Sequence, residues 1–238
     1  MRTLLVLGSK PEPVLPPPGS FDDLACANAS GRSAAGHGLP APRYTVMSAI
    51  LTSGRSAAND LALAALAGLE TETLWFYPRP PRRRGGLLRR ALHDLRTWRM
   101  KPWYLRRRLR ALGYRYRRFE DPGLDHYLGL ARRLCGDDPG VLALMARKQP
   151  STGLIALVLG VADGRYGRYI VSGFSFEISH AYATNPLIAE RGTAASLHAE
   201  TDIALLDRLC RTHGGIRTTE PLVHERAGVP MLEETARV

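Results

Sequence analysis

The feature of this sequence that most constrains its fold is a series of short apolar segments, several of which end in small polar residues. The first, Thr3 to Ser9 (TLLVLGS), is rich in branched aliphatic residues and stops at Gly-Ser. A short apolar run without alternation predicts a strand buried on both faces, as the strands of parallel sheets are. Similar segments span Leu24 to Asn28, Tyr44 to Leu51 and Thr71 to Tyr77. We therefore expect several neighbouring parallel strands.

Helical patterns separate most of these segments. The Ala/Leu-rich stretch Ser56 to Leu69 and the stretch Glu200 to Gly215 both end at a glycine stop signal. Pro150 to Gly164 predicts a buried helix capped by Ser151 or Thr152. Further predicted elements are the helix LDHYLGLARRLC, the strands Arg115 to Phe119, Arg168 to Phe174 and GIRTTEP, and a Gly/Pro-rich connector from Ala29 to Pro42. The alternation predicts one α/β domain over residues 1–238, a Rossmann-like, mainly parallel sheet flanked by helices, with a lid at 175–198.

Positive charge is concentrated in one part of the chain. The segment 79–118 contains sixteen Lys or Arg and one acid, Asp94, a net charge of +15. Because the whole chain of 238 residues carries +11, the remainder carries −4. Leucines and tryptophans recur at helical spacing within this segment, from Leu87 to Trp98 and again from Trp103 to Leu112, so we expect a basic insert of amphipathic helices.

The number of cysteines and the lack of long apolar runs indicate the cellular compartment of the protein. The three cysteines form neither a disulfide framework nor a zinc-binding pattern, which favours a reducing cytoplasm. No apolar run approaches the roughly 20 residues that span a bilayer, and the N-terminal apolar run is too short for a secretory signal. We expect a cytoplasmic protein, with peripheral attachment to the inner membrane as an alternative.

Small polar residues follow several predicted strands. In an open parallel sheet, ligands bind beyond the carboxyl ends of the strands. Gly8 and Ser9 follow the first strand, Asn28 the second, and Gly173 a later one. Ser151, Thr152 and Gly153 open a helix whose N-terminus suits a phosphate, although simple capping explains them equally well. The spacing matches neither a P-loop nor G-x-G-x-x-G.

His198 is the candidate general base. It lies in the sequence SLHAETD, between the predicted lid and an acidic helix start. A surface or capping role is the alternative for such a residue. His180, His213 and His224 lie in no ligand spacing, so no metal site is expected, and no cofactor is expected either.

Four blocks in this order resemble the bacterial sialyltransferases of glycosyltransferase family 42. They span Leu4 to Gly31, Gln149 to Phe176, Ser179 to Thr184 and Ser196 to Leu209. They are similar to that family's opening strand and Gly-Asn/Ser-x-Pro turn, its Thr-Ser-Gly helix and following strand, its lid with a tyrosine, and its His segment leading into a Thr-Asp-Ile helix. The phrase PSTGLIAL also looks like the small motif of family 29.

The resemblance implies a mechanism. CMP-sialic acid is the donor, and an acceptor hydroxyl attacks the anomeric carbon with inversion and without a metal ion. His198 matches the histidine base, and Tyr182 matches, with a one-residue gap, a lid tyrosine that donates to the departing phosphate. The positions that match nucleotide-binding ones are Gly8, Ser9, Asn28, Ser151, Thr152, Gly153, Gly173 and Phe174. A glycan or glycolipid acceptor is implied, and a homo-oligomer is left open.

The sequence departs from the family pattern at four positions. Glu177 stands where the family has a lid tyrosine, and Ser175 replaces an aspartate after the late strand. Gln149 replaces an expected basic residue, and the asparagine expected after the third strand falls near Ser48. Another CMP-activated sugar, another nucleotide sugar, or a loss of activity are alternatives that these departures leave open.

The segment 79–118 has three possible interpretations. It is a solvated basic face on helices that pack by their leucines, a surface for an anionic membrane or a lipid-linked acceptor, or a nucleic-acid site. The alternative function is therefore a non-catalytic protein that binds nucleic acid or an anionic membrane on a nucleotide-binding fold. No known nucleic-acid motif is present.

Overall fold

The computed structural model describes residues 1–10, 12–54, 56–80, 95–177 and 196–233. Seven parallel strands form one sheet in the order β5-β4-β3-β2-β1-β6-β7. The strands are β1 (Arg2–Leu7), β2 (Asp23–Ala27), β3 (Tyr44–Ser48), β4 (Glu70–Tyr77), β5 (Arg115–Glu120), β6 (Tyr166–Ser172) and β7 (Ile216–Thr218). The predicted α/β class with a parallel sheet is confirmed.

Helices cover both faces of the sheet. The described α-helices are α1 (Ser30–Gly36), α2 (Ala57–Ala64), α3 (Pro102–Ala111), α4 (Leu124–Leu134), α5 (Pro139–Arg147), α6 (Thr152–Asp163), α7 (Ala199–His213) and α8 (Pro221–Ala227). Two 3-10 turns, Ala49–Thr52 and Trp98–Met100, also occur. None of the helices in these ranges is long and apolar enough to cross a membrane.

The hydrophobic core has a layer on each face of the sheet, and alternate side chains of β1 point into these two layers. Leu4 and Val6 belong to one cluster, which contains most of α6 together with residues of α4 and α7. Leu5 and Leu7 face the opposite layer, where Ala34 of α1 packs. Ten of the twelve residues of α6 are buried, which explains why its sequence lacks a polar stripe.

Two sequence-based predictions about the layer near β2 and β3 are wrong. The connector from Ala29 to Pro42 contains α1, because the Ser30 hydroxyl bonds the Leu7 carbonyl and the Ala27 N–H, and small residues let the helix approach the sheet. The strand expected to reach Leu51 ends at Ser48, whose Oγ accepts from the Ile50 N–H and opens a 3-10 turn.

The structure confirms other predicted helices and strands and adds two helices that were not predicted. The helices around Leu124–Leu134, Thr152–Asp163 and Ala199–His213 are confirmed within a few residues, as is the edge strand β5. Helices α5 and α8 were not predicted; each begins at a proline, at the first helical position. Within the segment 79–118, the described residues 95–118 include α3 and most of β5, and the helix expected from Leu87 lies mostly outside the described residues. The three cysteines are free.

Candidate active site

The turns after β1 and β6 lie in direct contact at one edge of the sheet. The Gly8 N–H donates to the Ser172 carbonyl at 2.8 Å, and the Lys10 N–H donates to the Gly173 carbonyl at 2.9 Å. A Cβ on Gly8 would lie 2.3 Å from the Gly173 oxygen, and Gly173 has a φ of +70°. Only glycine fits such an approach. Because β2 and β6 flank β1 on opposite sides, the order in which strands are added to the sheet reverses at β1, and such a switch point is the usual place for a ligand.

Asn28 links three elements at the same edge. It follows β2 with a φ of +52°, a conformation that Asn tolerates better than most residues. Its Nδ2 donates to Thr152 Oγ1 at 3.2 Å, and its Oδ1 accepts from the Ser48 N–H at 2.9 Å. The end of β2 is thereby joined to the end of β3 and to the start of α6.

Phe174 lies between the turn after β1 and the N-terminus of α6. A Cβ on Gly8 would come within 2.9 Å of its ring, and a Cβ on Gly153 within 3.1 Å. Ser151 is the N-cap of α6, with its Oγ accepting from the Leu154 N–H. Glycine at positions 8 and 153 therefore makes room for this ring, a packing role that accompanies any binding role.

The orientation of His198 is set by a backbone hydrogen bond. Its Nδ1 lies 2.7 Å from the Gln149 carbonyl oxygen. Because a carbonyl oxygen can only accept, Nδ1 carries the proton, and the lone pair of the neutral ring is on Nε2. His198 is also the residue that precedes α7, at the positive end of the helix dipole.

The pKa of His198 is lowered from its ordinary value. Burial is the largest cause, and the cationic side chains of Lys148 and Arg79 add to it, while the hydrogen bond to Gln149 acts in the opposite direction. The imidazole is therefore neutral at neutral pH. A neutral imidazole with a fixed tautomer is the form required of a general base.

Side chains clamp four consecutive residues, which we call the 148–151 segment. The Lys148 carbonyl accepts from Thr201 Oγ1 at 3.0 Å, and the next carbonyl is bound by His198. The Pro150 carbonyl accepts from the Tyr77 hydroxyl at 3.0 Å, and the Ser151 N–H donates to Asp202 Oδ1 at 2.8 Å. The start of α7 thus positions both the histidine and the start of α6.

The carboxyl group of Asp202 is buried within this clamp. Burial raises its pKa from 3.8 to about 7, while hydrogen bonding to Ser151 acts in the opposite direction. A carboxyl group in such surroundings is partly protonated at neutral pH. Its role is to position the 148–151 segment. In the sequence, Asp202 lies inside one of the family-like blocks, with no predicted role of its own.

A second buried carboxylate, Glu220, holds the turns after β1 and β6. Its Oε1 accepts from the N–H groups of Gly173 and Val14, at 2.9 and 2.8 Å, and its Oε2 lies 2.5 Å from Lys10 Nζ. Its side chain is only 2% exposed. The sequence offered no signal for this residue, because its partners lie up to 210 positions away.

The described residues among those predicted from the sequence therefore converge on one edge of the sheet. Contacts run from Gly8 through Phe174 and Gly153 to the start of α6, and from there to Asn28. Ser9 follows Gly8 and is partly buried. Tyr182 and most of the predicted lid lie outside the described residues. The described residues on either side of this predicted lid are joined by one hydrogen bond, in which the Ser196 N–H donates to the Phe176 carbonyl at 3.0 Å.

The positions that depart from the family pattern lie along the same edge. The Ser175 hydroxyl accepts from the Glu177 N–H at 3.3 Å, across Phe176, which has a φ of +54°. Gln149 Oε1 is buried and has no hydrogen-bond partner among the described residues. Within those residues, no three His, Cys, Asp or Glu side chains are grouped as metal ligands would be.

Comparison with solved structures shows the fold of the chain. A variant of the sialyltransferase CST-II in complex with CMP has a TM-score of 0.55 at 13% identity, over 98% of this chain and 87% of that one. CstII from Campylobacter jejuni with the substrate analogue CMP-3FNeuAc has a TM-score of 0.50 at 13% identity, over the same shares of each chain. The monofunctional α-2,3-sialyltransferase Cst-I from Campylobacter jejuni has a TM-score of 0.51 at 11% identity, over 97% and 81%. No protein-family profile and no curated protein matches the sequence.

Proposed function

We propose that this protein is an inverting glycosyltransferase that moves sialic acid from CMP-sialic acid to a hydroxyl group of a glycan. The fold is that of structures described as sialyltransferases, one of them in complex with CMP. The observation that carries the proposal is the fixed tautomer of His198. Its Nε2 lone pair is kept available, beside the helix start that would bind the donor phosphate.

In the proposed reaction, the acceptor oxygen attacks the anomeric carbon while the bond from that carbon to the phosphate oxygen breaks. The hydroxyl proton passes to Nε2 of His198, and CMP leaves with the bonding electron pair. The Nδ1 bond to the Gln149 carbonyl supports this step, because it stabilises the imidazolium that forms. No metal ion is assigned a role, as the family resemblance implies.

The donor nucleotide is assigned to the edge formed by Gly8, Asn28 and the start of α6. Backbone N–H groups and the dipole of α6 suit the phosphate of CMP. Ser9, Ser151 and Thr152 supply hydroxyl groups there. Tyr182, from the predicted lid, is assigned as donor to the departing phosphate, which would stabilise negative charge as it develops.

Donor hydrolysis tests the proposal directly. Purified protein is incubated with CMP-sialic acid, with and without candidate glycan acceptors, and free CMP is measured. We expect His198→Ala to lower the rate of CMP release by about 100-fold or more, the usual contribution of a general base. His126→Ala is the control, because His126 is an exposed histidine distant from the 148–151 segment in the chain; it should behave as wild type.

Two results would refute the proposal. The first is a wild-type rate of CMP release no higher than that of His198→Ala under every acceptor condition. The second is tight, salt-sensitive binding of DNA or RNA by a protein that does not bind CMP in calorimetry. The second result would favour the non-catalytic alternative.

A further inference from the structure

The described part of the basic segment exposes aromatic side chains among its arginines. Residues 95–118 contain ten Lys or Arg and no Asp or Glu. Trp98 is 40% exposed, Trp103 52% and Leu95 70%. We call this the Trp98–Trp103 surface; it comprises Leu95, Trp98, Arg99, Trp103, Arg106, Arg107 and Arg110.

The aromatic rings form an ordered cluster. Trp98 and Trp103 are stacked, with ring centroids 5.9 Å apart and an interplanar angle of 20°. Tyr104 meets both tryptophans edge to face, at 4.9 and 5.7 Å. The Arg99 guanidinium lies 5.3 Å from the centre of the Trp98 ring. The rings of Trp98 are thus engaged with other side chains of the cluster.

The segment that carries these rings is anchored to the core. Met100, Leu105 and Leu109 are buried in the cluster that covers β3 and β4. The Thr52 hydroxyl donates to the Arg99 carbonyl at 2.5 Å. The two tryptophans are therefore presented outward by a backbone that already has its own core contacts. Burying them in a partner removes apolar area from water without unfolding the segment.

The surface lies toward the carboxyl edge of the sheet. Helix α3 leads back to the start of β5, which is parallel to β4, so the first residues of α3 lie toward the carboxyl ends of the strands. The turn Trp98–Met100 packs against the turn Ala49–Thr52, which follows β3. Ser48, at the end of β3, is bonded to Asn28. The surface therefore adjoins the edge that carries the candidate active site.

We propose that the Trp98–Trp103 surface binds an anionic phospholipid membrane and turns the carboxyl edge of the sheet toward it. Tryptophan is suited to the boundary between headgroups and acyl chains, because one part of its ring system is apolar and its N–H is polar. Arginines around it attract the negative charge of phosphatidylglycerol or a similar lipid. A purely solvated basic face would not require two exposed, stacked tryptophans.

Nucleic acid is the competing partner, and the ring geometry disfavours it. Bases stack on aromatic faces that are left open to them. Here Trp98 is stacked on Trp103 and lies beside Arg99, so the ring of Trp98 is already engaged by neighbouring side chains. A membrane interface needs only that the rings be exposed at their outer edges.

Quenching of tryptophan fluorescence by brominated phosphatidylcholine tests the proposal on the intact chain. Vesicles contain about 30 mol% phosphatidylglycerol, an anionic fraction on the scale that attracts basic segments. The protein has three tryptophans, and Trp75 packs against the core. We expect quenching in wild type and little in Trp98→Phe/Trp103→Phe, a variant that keeps aromatic packing and leaves Trp75 as the reporter.

Vesicle sedimentation measures the affinity and its charge dependence. Reversing Arg107 and Arg110 to Glu should weaken binding at least tenfold, since each basic residue near an anionic surface contributes about 1 kcal/mol, or about fivefold. Arg133→Glu/Arg168→Glu is the matched control: both are exposed arginines elsewhere, and the net charge changes equally. It should retain most of the binding. Thermal melting by circular dichroism verifies that each variant is folded.

Three outcomes would overturn the proposal: no binding of wild type to anionic vesicles, equal loss in the two charge-reversal variants, or binding of an oligonucleotide without binding of vesicles. None of these measurements involves CMP-sialic acid. Failure of the membrane proposal is therefore distinguishable from failure of the proposed enzymatic function.

Discussion

Asparagine in place of Asp202 should change how the stability of this protein depends on pH. In the folded chain the pKa of this buried carboxyl is about 7, against 3.8 for the free group. Below pH 3.8 both states bind the proton. As pH rises toward 7 the unfolded state loses its proton first, so the contribution of the neutral Asp202 to stability is lost across this range.

The magnitude follows from the two pKa values. Each tenfold difference in proton affinity is worth about 1.4 kcal/mol, so a rise from 3.8 to about 7 corresponds to a loss of about 4 kcal/mol between acidic and neutral pH. Asn has no proton to lose, and its side-chain oxygen still accepts from the Ser151 N–H. We therefore expect Asp202→Asn to flatten this part of the stability curve.

Urea denaturation followed by circular dichroism, at steps between pH 4 and pH 8, measures the effect. Groups common to both proteins cancel when the two curves are subtracted. Asp207→Asn is the control, since Asp207 lies on the same helix in an exposed ion pair with Arg211. Parallel curves for wild type and Asp202→Asn would refute the reasoning, because they would mean that Asp202 titrates alike in both states.

Three further predictions concern the candidate active site. Gly8→Ala should lower the free energy of unfolding, measured in the same urea assay, by about 3 kcal/mol, because the new Cβ would lie 2.3 Å from the Gly173 carbonyl oxygen. Gly36→Ala is the control: its Cβ would meet nothing within 4 Å, so it should not destabilise the protein. The rate of CMP release should rise with pH as His198 deprotonates, with a midpoint below pH 6.5, because the pKa of His198 is lowered from that value; a midpoint above 6.5 would contradict this. Tyr182→Phe should lower kcat more than it raises KM for the donor, since its hydrogen bond should strengthen as the phosphate leaves; a change confined to KM would contradict that role.

Much of the fold could be predicted from the sequence. The buried strands are short apolar runs such as Thr3 to Leu7, and the Ser151 cap precedes an apolar helix, so hydropathy and capping identified them. Helix α1 was missed because its sequence, SGRSAAG, has the composition of a loop. What stabilises it is the contact of Ser30 and Ala34 with the sheet, which depends on residues far away in the chain.

The sequence alone determined the chemistry available at the carboxyl edge: glycines for close backbone approach, an asparagine, a hydroxyl-rich helix start and one suitably placed histidine. It also located the positive charge in one segment. These properties are local, because they depend on residue type and on neighbours within a few positions. The four family-like blocks added an expected order of these parts.

How these parts are held depends on contacts between residues that lie far apart in the chain. The tautomer of His198 depends on the Gln149 carbonyl, 49 positions away, and the turns after β1 and β6 depend on Glu220. Trp98 and Trp103 face outward because Leu105 and Leu109 of α3 are the side chains buried in the core. Hydrogen bonds and burial between distant residues arise only when the chain is folded, so no local pattern in the sequence could specify them.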